Sequence, residues 1–347
     1  MMQHVPVRFR RRGISFLLHK RTVVTTFVLL AACILIAVVS TGMGEMYISP
    51  ADVIRSVFGM GAEEHSMVIQ KLRLPRIVIS LLVGSSLAAA GAILQGIIRN
   101  PLSSPDIMGV TGGASVAAVS FLTLTAGAFS IRWLPVSAML GAGVVSVVLY
   151  LLAWKKGVTP IRLILVGIGM SSLTSAATTM MIVFSENKDV SQAYLWLTGS
   201  VYASNWENVL TVLPWTMILI PLSFLMARHV NIGQLGDDVA ASAGSRVERN
   251  RLVLLFISVA LAGSAVSVAG GIGFVGLIAP HMARKLVGSS FESVLPVSAL
   301  LGGAIVMLAD LAGRTFFLPL DIPVGVFTSA VGAPFFIYLL YTKRNSK

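Results

Sequence analysis

The feature that most constrains this chain is a succession of apolar stretches, each near the length of a membrane crossing and separated by polar or Gly/Pro-rich breaks. A helix crosses the hydrocarbon core, about 30 Å thick, with about 20 mostly apolar residues. About ten stretches meet or approach that length: residues 23–39, 77–98, 107–124, 134–154, 161–184, 210–227, 252–270, 270–288, 295–312 and 324–341. Lipid offers the backbone no hydrogen-bond partner, so such stretches must be helical. The expected fold is an all-α polytopic membrane protein with about ten transmembrane helices. Composition agrees, since 12% of the residues are charged against about 25% in soluble domains. The expected organisation is a single transmembrane domain over 23–341, with basic tails at 1–22 and 342–347.

Several chemistries are excluded. Cys33 is the lone cysteine, and His4, His19, His65, His229 and His281 are scattered, so no metal site is expected. There is no P-loop and no Gly-Lys dipeptide, so any ATP must be used by a separate subunit. The net charge of +12 reads as membrane topology rather than nucleic-acid binding. RFRRRGISFLLHKR could resemble a secretory or twin-arginine leader. With no small-residue cleavage site behind the first apolar run, it reads instead as the cytoplasmic flank of a first helix.

Basic residues sort by side. If the chain starts inside, the Arg-rich N-terminus, Arg99, Lys155, Lys156, Arg162, Arg228, Arg246, Arg249, Arg251, Arg284, Lys285, Lys343, Arg344 and Lys347 all fall inside. Arg55, Lys71, Arg73, Arg76, Arg132, Lys188 and Arg314 fall outside, a smaller set. LPVSAMLGAGV at Leu134 matches LPVSALLGGAI at Leu295, five crossings later. That offset reverses direction through the bilayer, which predicts two inverted five-helix halves. Gly84, Ala88, Ala92 and Gly96 form a small-residue ridge that predicts close helix packing at the centre of the bundle. Gln95 beside it reads as a buried hydrogen-bonding residue before a pathway residue.

The longest polar break in the second half, 231–251, predicts two short helices. Gly236, Asp237 and Asp238 open the first, with acids in the dipole-favoured first turn. Leu235, Val239, Ala243 and Val247 form a drifting apolar stripe, and Gly244 breaks it. Ser245 and Glu248 have capping-box spacing for the second. The segment reads equally as a docking surface or an amphipathic connector. Before Ala51, Ser49-Pro50 predicts the start of a short surface helix. Asp310 and Arg314, four apart, read as a structural ion pair before an ion path. Arg73, Arg76 and Arg314, taken alone, read as headgroup-facing arginines.

The blocks RLPR at Arg73, LAAAGAILQGIIRNPLSSPDIMGVTGGA from Leu87, WLTGS at Trp196, GIGFVGLIAPHMAR from Gly271 and DIPVGVFTSAVGAPFFIYLL from Asp321 occur in that order. In these the chain resembles the FecCD-type permease subunits of ABC importers for ferric siderophores, haem and cobalamin. Ser103, Met108 and Asp321 stand where that family usually carries Ala, Leu and Glu. The resemblance implies a multi-pass subunit of the bacterial cytoplasmic membrane, both termini cytoplasmic, with no catalytic residue and no cofactor of its own. It implies as partners a second permease (identical or paralogous), two ATPase subunits that use ATP, and an extracytoplasmic substrate-binding protein, all within membrane lipid and without nucleic acid. It places binding-protein docking at Arg73, Arg76 and Arg314. ATPase coupling falls to Leu235, Gly236, Asp237, Asp238, Val239, Ala243, Gly244, Ser245 and Arg246. A cytoplasmic gate lies near Asn100, Pro101, Pro280 and His281. Ferric siderophore is the expected cargo, with haem or cobalamin next; an ion-coupled secondary transporter, with Asp310 as its only candidate ion site, is the rival class.

Overall fold

The computed structural model describes residues 4–9, 14–44, 46–125, 129–155, 157–185 and 187–344. Residues 1–3 and 10–13 of the basic N-terminal tail, Lys156, and residues 345–347 of the C-terminal tail lie outside the described residues. The first tail is not wholly irregular. Strands β1 (His4–Phe9) and β2 (Ile14–His19) pair antiparallel, His4 opposite His19. Among the described residues, everything after them is helical or loop.

Helix α1 (Lys20–Gly42) is followed by α2 (Pro50–Val57). As the sequence predicts, Ser49 caps α2: its hydroxyl accepts from the Asp52 N–H, and Pro50 supplies the first turn. Helix α3 (Glu63–Met67) continues through a π-helical turn, Val68–Arg73, into α4 (Leu74–Ile98). Then come α5 (Val110–Thr125), a 3-10 turn at Ile131–Trp133, α6 (Leu134–Ala153) and α7 (Pro160–Val183). Helix α8 (Asn187–Leu197) lies in the break between the apolar stretches 161–184 and 210–227. Helices α9 (Trp206–Leu225), α10 (Ala227–Gly233), α11 (Asp237–Ser242) and α12 (Val247–Ala269) precede α13 (Val275–Val287), α14 (Phe291–Thr315) and α15 (Val324–Arg344).

Among the described residues, eight helices are long and apolar enough to cross a membrane. Helix α5, with 16 residues, is apolar but shorter, and α13, with 13 residues, occupies the eighth stretch read from the sequence. Both are short because irregular backbone precedes them. Gly109, with φ +71°, leads into α5, and Phe274, with φ +66°, into α13.

The bundle is organised on α4, which packs on α14, α12, α13 and α9. Its best apolar window is 83% buried, against 11% for α1. A Cβ on Gly84 would collide with the Gly302 carbonyl of α14, and one on Gly302 would collide with Gly84 and Ala88. Gly91, outside the predicted ridge, meets Gly276 of α13 in the same way. In lipid, helices gain from this close backbone approach rather than from a hydrophobic driving force. Gln95 is buried; it reaches the Gly276 and Leu277 carbonyls at 3.5 and 3.4 Å and accepts from Arg284.

The internal repeat is also visible. Seven residues beyond each Leu of the repeated motif stand Gly141 and Gly302. Gly141 abuts Gly113 and Ala117 of α5, as Gly302 abuts Gly84 and Ala88 of α4. The two halves use one small-residue device against different neighbours. Backbone hydrogen bonds also join WLTGS to the end of α12 and to the DIPVGV block. The Ser200 N–H donates to Ala269 O (2.8 Å) and the Gly325 N–H to Gly199 O (2.9 Å).

Candidate functional site

Helix α4 carries an arginine near each end, and each sits in a cluster of ion pairs. At the first end, Arg76 in the opening turn of α4 donates to Asp310 of α14 (Nε–Oδ1 2.8 Å) and to both carboxylate oxygens of Asp321 (2.6 and 2.9 Å). Arg314, one turn beyond Asp310, lies 3.6 Å from its other oxygen. Arg314 also donates to the Met43 carbonyl (2.8 Å) and to the carbonyl and hydroxyl of Ser40. Arg73 donates to the Thr41 and Met46 carbonyls at 2.8 and 2.7 Å. The Asp310 side chain is 1% exposed, Arg314 10% and Arg76 13%. The Asp310–Arg314 pair expected from the sequence is present, but the shorter bond is to Arg76, which sequence spacing could not supply. The arginines thus knit the loop after α1, the start of α4, the end of α14 and the α14–α15 loop. Arg76 and Arg314 point inward; the cations turned to solvent here are Arg55, Lys71 and Arg132, the last paired with Glu207 at 3.1 Å.

At the other end, α4 stops at Arg99, whose left-handed backbone (φ +55°) turns the chain. Its guanidinium lies 3.2 Å from Asp237, the first residue of α11. Asp237 also accepts two bonds of 2.9 Å from Arg251 of α12. Arg251, 6% exposed, reaches Glu248 at 3.1 Å and donates to the Val158 carbonyl. Glu248 accepts in turn from the Val158 N–H at 3.2 Å. One carboxylate therefore ties α4, α11, α12 and, through Arg251, the α6–α7 turn. A second anchor holds the loop from behind. Asn231 of α10 donates to Glu292 (2.5 Å) and accepts from the Phe291 N–H (2.9 Å), both at the start of α14.

The loop 231–251 contains the two helices the sequence predicts, with two differences. Helix α10 precedes them, because α9 ends at Leu225 and Met226 starts a new helix. The Ser245–Glu248 capping box does not form. Arg246 occupies the N-cap position of α12 with no side-chain cap, Ser245 accepts from Asn250 (3.0 Å), and Glu248 is drawn to Val158 and Arg251. Gly236 and Gly244 have φ of +114° and +78°, conformations that side-chain-bearing residues avoid. Around these hinges Leu235 and Val239 are 68% and 51% exposed, with Asp238, Ala243 and Arg246 also exposed. A rigidly anchored loop thus presents apolar side chains outward.

The candidate gate residues act on separate neighbours. Asn100 folds its own turn, accepting from the Leu102 N–H at 3.0 Å just before Pro101. Pro280 is buried within α13, and the His281 ring meets Phe335 of α15 edge-on at 5.8 Å. Helices α4 and α13 meet through Gln95 and Arg284. Sequence reasoning also missed Arg99, Glu248 and Arg251 as site residues, although the Glu248/Arg251 spacing of one helical turn was a readable signal. No group of three or more His, Cys, Asp or Glu able to hold a metal occurs among the described residues.

Comparison with known proteins decides the family. The FecCD transport family matches residues 29–342. The chain belongs to the FecCD transport family. It is 48% identical over 337 residues to the Bacillus subtilis (strain 168) protein named "Probable siderophore transport system permease protein YfhA", covering 94% of this chain and 97% of that one. It is 45% identical to "Achromobactin transport system permease protein CbrC" of Dickeya dadantii (strain 3937), covering 99% and 98%. A solved inward-facing transporter assigned to the metal-chelate ABC type superimposes with a TM-score of 0.82 at 31% identity, covering 91% of this chain and 98% of that one. This FecCD-family chain is therefore a multi-pass membrane protein of the ABC permease class.

Proposed function

We propose that this chain is the membrane-spanning subunit of a binding-protein-dependent ABC importer that moves a ferric siderophore across the bacterial cytoplasmic membrane. Both termini and loop 231–251 are cytoplasmic in this reading. Two separate ATPase subunits dock on the loop and use the ATP; this chain contributes no catalytic group and no cofactor. A second permease, identical or paralogous, completes the path, and an extracytoplasmic binding protein delivers cargo to the Arg73 end.

The observation that carries the reading is the anchored loop with its outward apolar pair. Leu235 and Val239 offer a partner a greasy contact, while the Asp237–Arg99 and Asp237–Arg251 bonds carry any push directly into α4 and α12. In this reading the gate residues Asn100 and Pro101 follow α4, and Pro280 and His281 lie in α13, which packs on α4. At the opposite end Arg73, Arg76 and Arg314 outnumber Asp310 and Asp321, so the face keeps a positive bias suited to an acidic partner.

The ion-coupled rival fares worse, because its candidate carboxylate, Asp310, is held between two arginines. The names of the relatives favour siderophore over haem or cobalamin. Reconstitution of the chain with its ATPase and binding protein tests the proposal. Radio-iron siderophore uptake should require ATP and persist with ionophores present. Uptake without an ATPase, abolished by ionophores, would refute it.

A further inference from the structure

A groove of about 450 Å³ runs between α6, α9 and α12, opening at one end beside the Glu248–Arg251 pair. Its walls are almost wholly apolar, including Met139, Gly143 and Leu151 of α6, Trp215 of α9, and Leu252 and Phe256 of α12. From Met139 to Leu151 the groove follows α6 for about 18 Å at 1.5 Å per residue. One leaflet of a hydrocarbon core about 30 Å thick is about 15 Å deep. The groove is thus one acyl chain long and lies along the bilayer normal.

Its Arg99-side mouth is finished for a headgroup. Tyr150 lines the groove and packs against Trp154, ring centroids 5.7 Å apart, with Trp154 half exposed. Such aromatic pairs mark the membrane–water boundary. Beyond them Lys155 is exposed, four residues after Leu151. On α12, exposed Arg249 continues the stripe of Leu252 and Phe256 at helical spacing. Two cations therefore stand where the groove leaves the hydrocarbon, the arrangement that attracts anionic headgroups.

The geometry points to a specific phospholipid site: an acyl chain of the Arg99-side leaflet fills the groove, and its anionic headgroup rests on Lys155 and Arg249. The inference needs the membrane-spanning fold and not the transport reading. Gly143, which lines the groove, supplies the test, since a Cβ there meets nothing within 4 Å and a larger side chain would start into open space.

The full-length chain is extracted from membranes in mild detergent, and retained phospholipid is measured by native mass spectrometry. The wild type and Ile34→Phe, a control on an exposed part of α1, should keep about one phospholipid per chain. Gly143→Phe should reduce that by roughly tenfold, because the buried acyl methylenes lose their site. In nanodiscs mixing phosphatidylglycerol with phosphatidylethanolamine, Lys155→Glu/Arg249→Glu should cut the preference for phosphatidylglycerol about fivefold or more. Wild-type retention in Gly143→Phe, or an unaltered preference in the charge variant, would overturn the proposal. So would disulfide capture of a second copy through Ser146→Cys, which would mean another permease covers the groove.

Discussion

The two ends of α4 use the same chemistry under different burial. At each end one aspartate lies between two arginines from different helices: Asp310 between Arg76 and Arg314, Asp237 between Arg99 and Arg251. Asp310 is 1% exposed and Asp237 38%. Burial decides what each cluster can do. Removing one member of a buried ion pair strands the other's charge at about 3–5 kcal/mol, whereas an exposed pair contributes about 0–1 kcal/mol. The Asp310 cluster is a permanent clamp. The Asp237 cluster is anchored on a buried arginine yet reaches water through the carboxylate, which suits a joint that transmits motion.

Four outcomes sharpen or break that contrast, ordered by size. Arg76→Ala should destabilise the fold most, by about 3–5 kcal/mol, since it leaves Asp310 buried with only the longer Arg314 contact. The check is a thermal or denaturant melt in detergent, and a melt like the wild type's would remove the clamp. Gly236→Val or Gly244→Val should cost about 1–3 kcal/mol from the positive-φ backbone, while uptake falls further than folded protein does. Asp237→Ala should cost only about 1 kcal/mol of stability, because buried Arg251 keeps Glu248 and the Val158 carbonyl, and yet uncouple ATP hydrolysis from uptake. If it melts as early as Arg76→Ala, the distinction between the two ends fails. Arg73→Glu, which touches neither carboxylate but loses the bonds to the Thr41 and Met46 carbonyls, should cost about 1 kcal/mol and weaken binding-protein docking in a pull-down.

Most of the frame was legible in the sequence. Apolar run length marked the eight long apolar helices and the shorter α5, and the Gly84–Gly96 ridge marked α4 as the axis, because small residues at four-residue spacing have few other uses in lipid. The helix boundaries around Gly236 and Gly244 were legible for a similar reason: glycine at positive φ punctuates a chain. Partners distant in sequence were not legible. Nothing local tells Arg76 that Asp310 and Asp321 are its neighbours, 234 and 245 residues away. For the same reason Glu248 read as half of a capping box, when the α6–α7 turn offers it a better donor. Helix α8 was hidden because its polar and aromatic residues resemble an interfacial loop.

The central claim is that loop 231–251 is where the ATPases push. Leu235→Glu/Val239→Glu, measured beside wild type in reconstituted proteoliposomes, tests it most directly. Both side chains are exposed, so the variant's melt should match the wild type's, while ATPase association and siderophore uptake are lost together. Normal uptake by a normally folded variant would contradict the account.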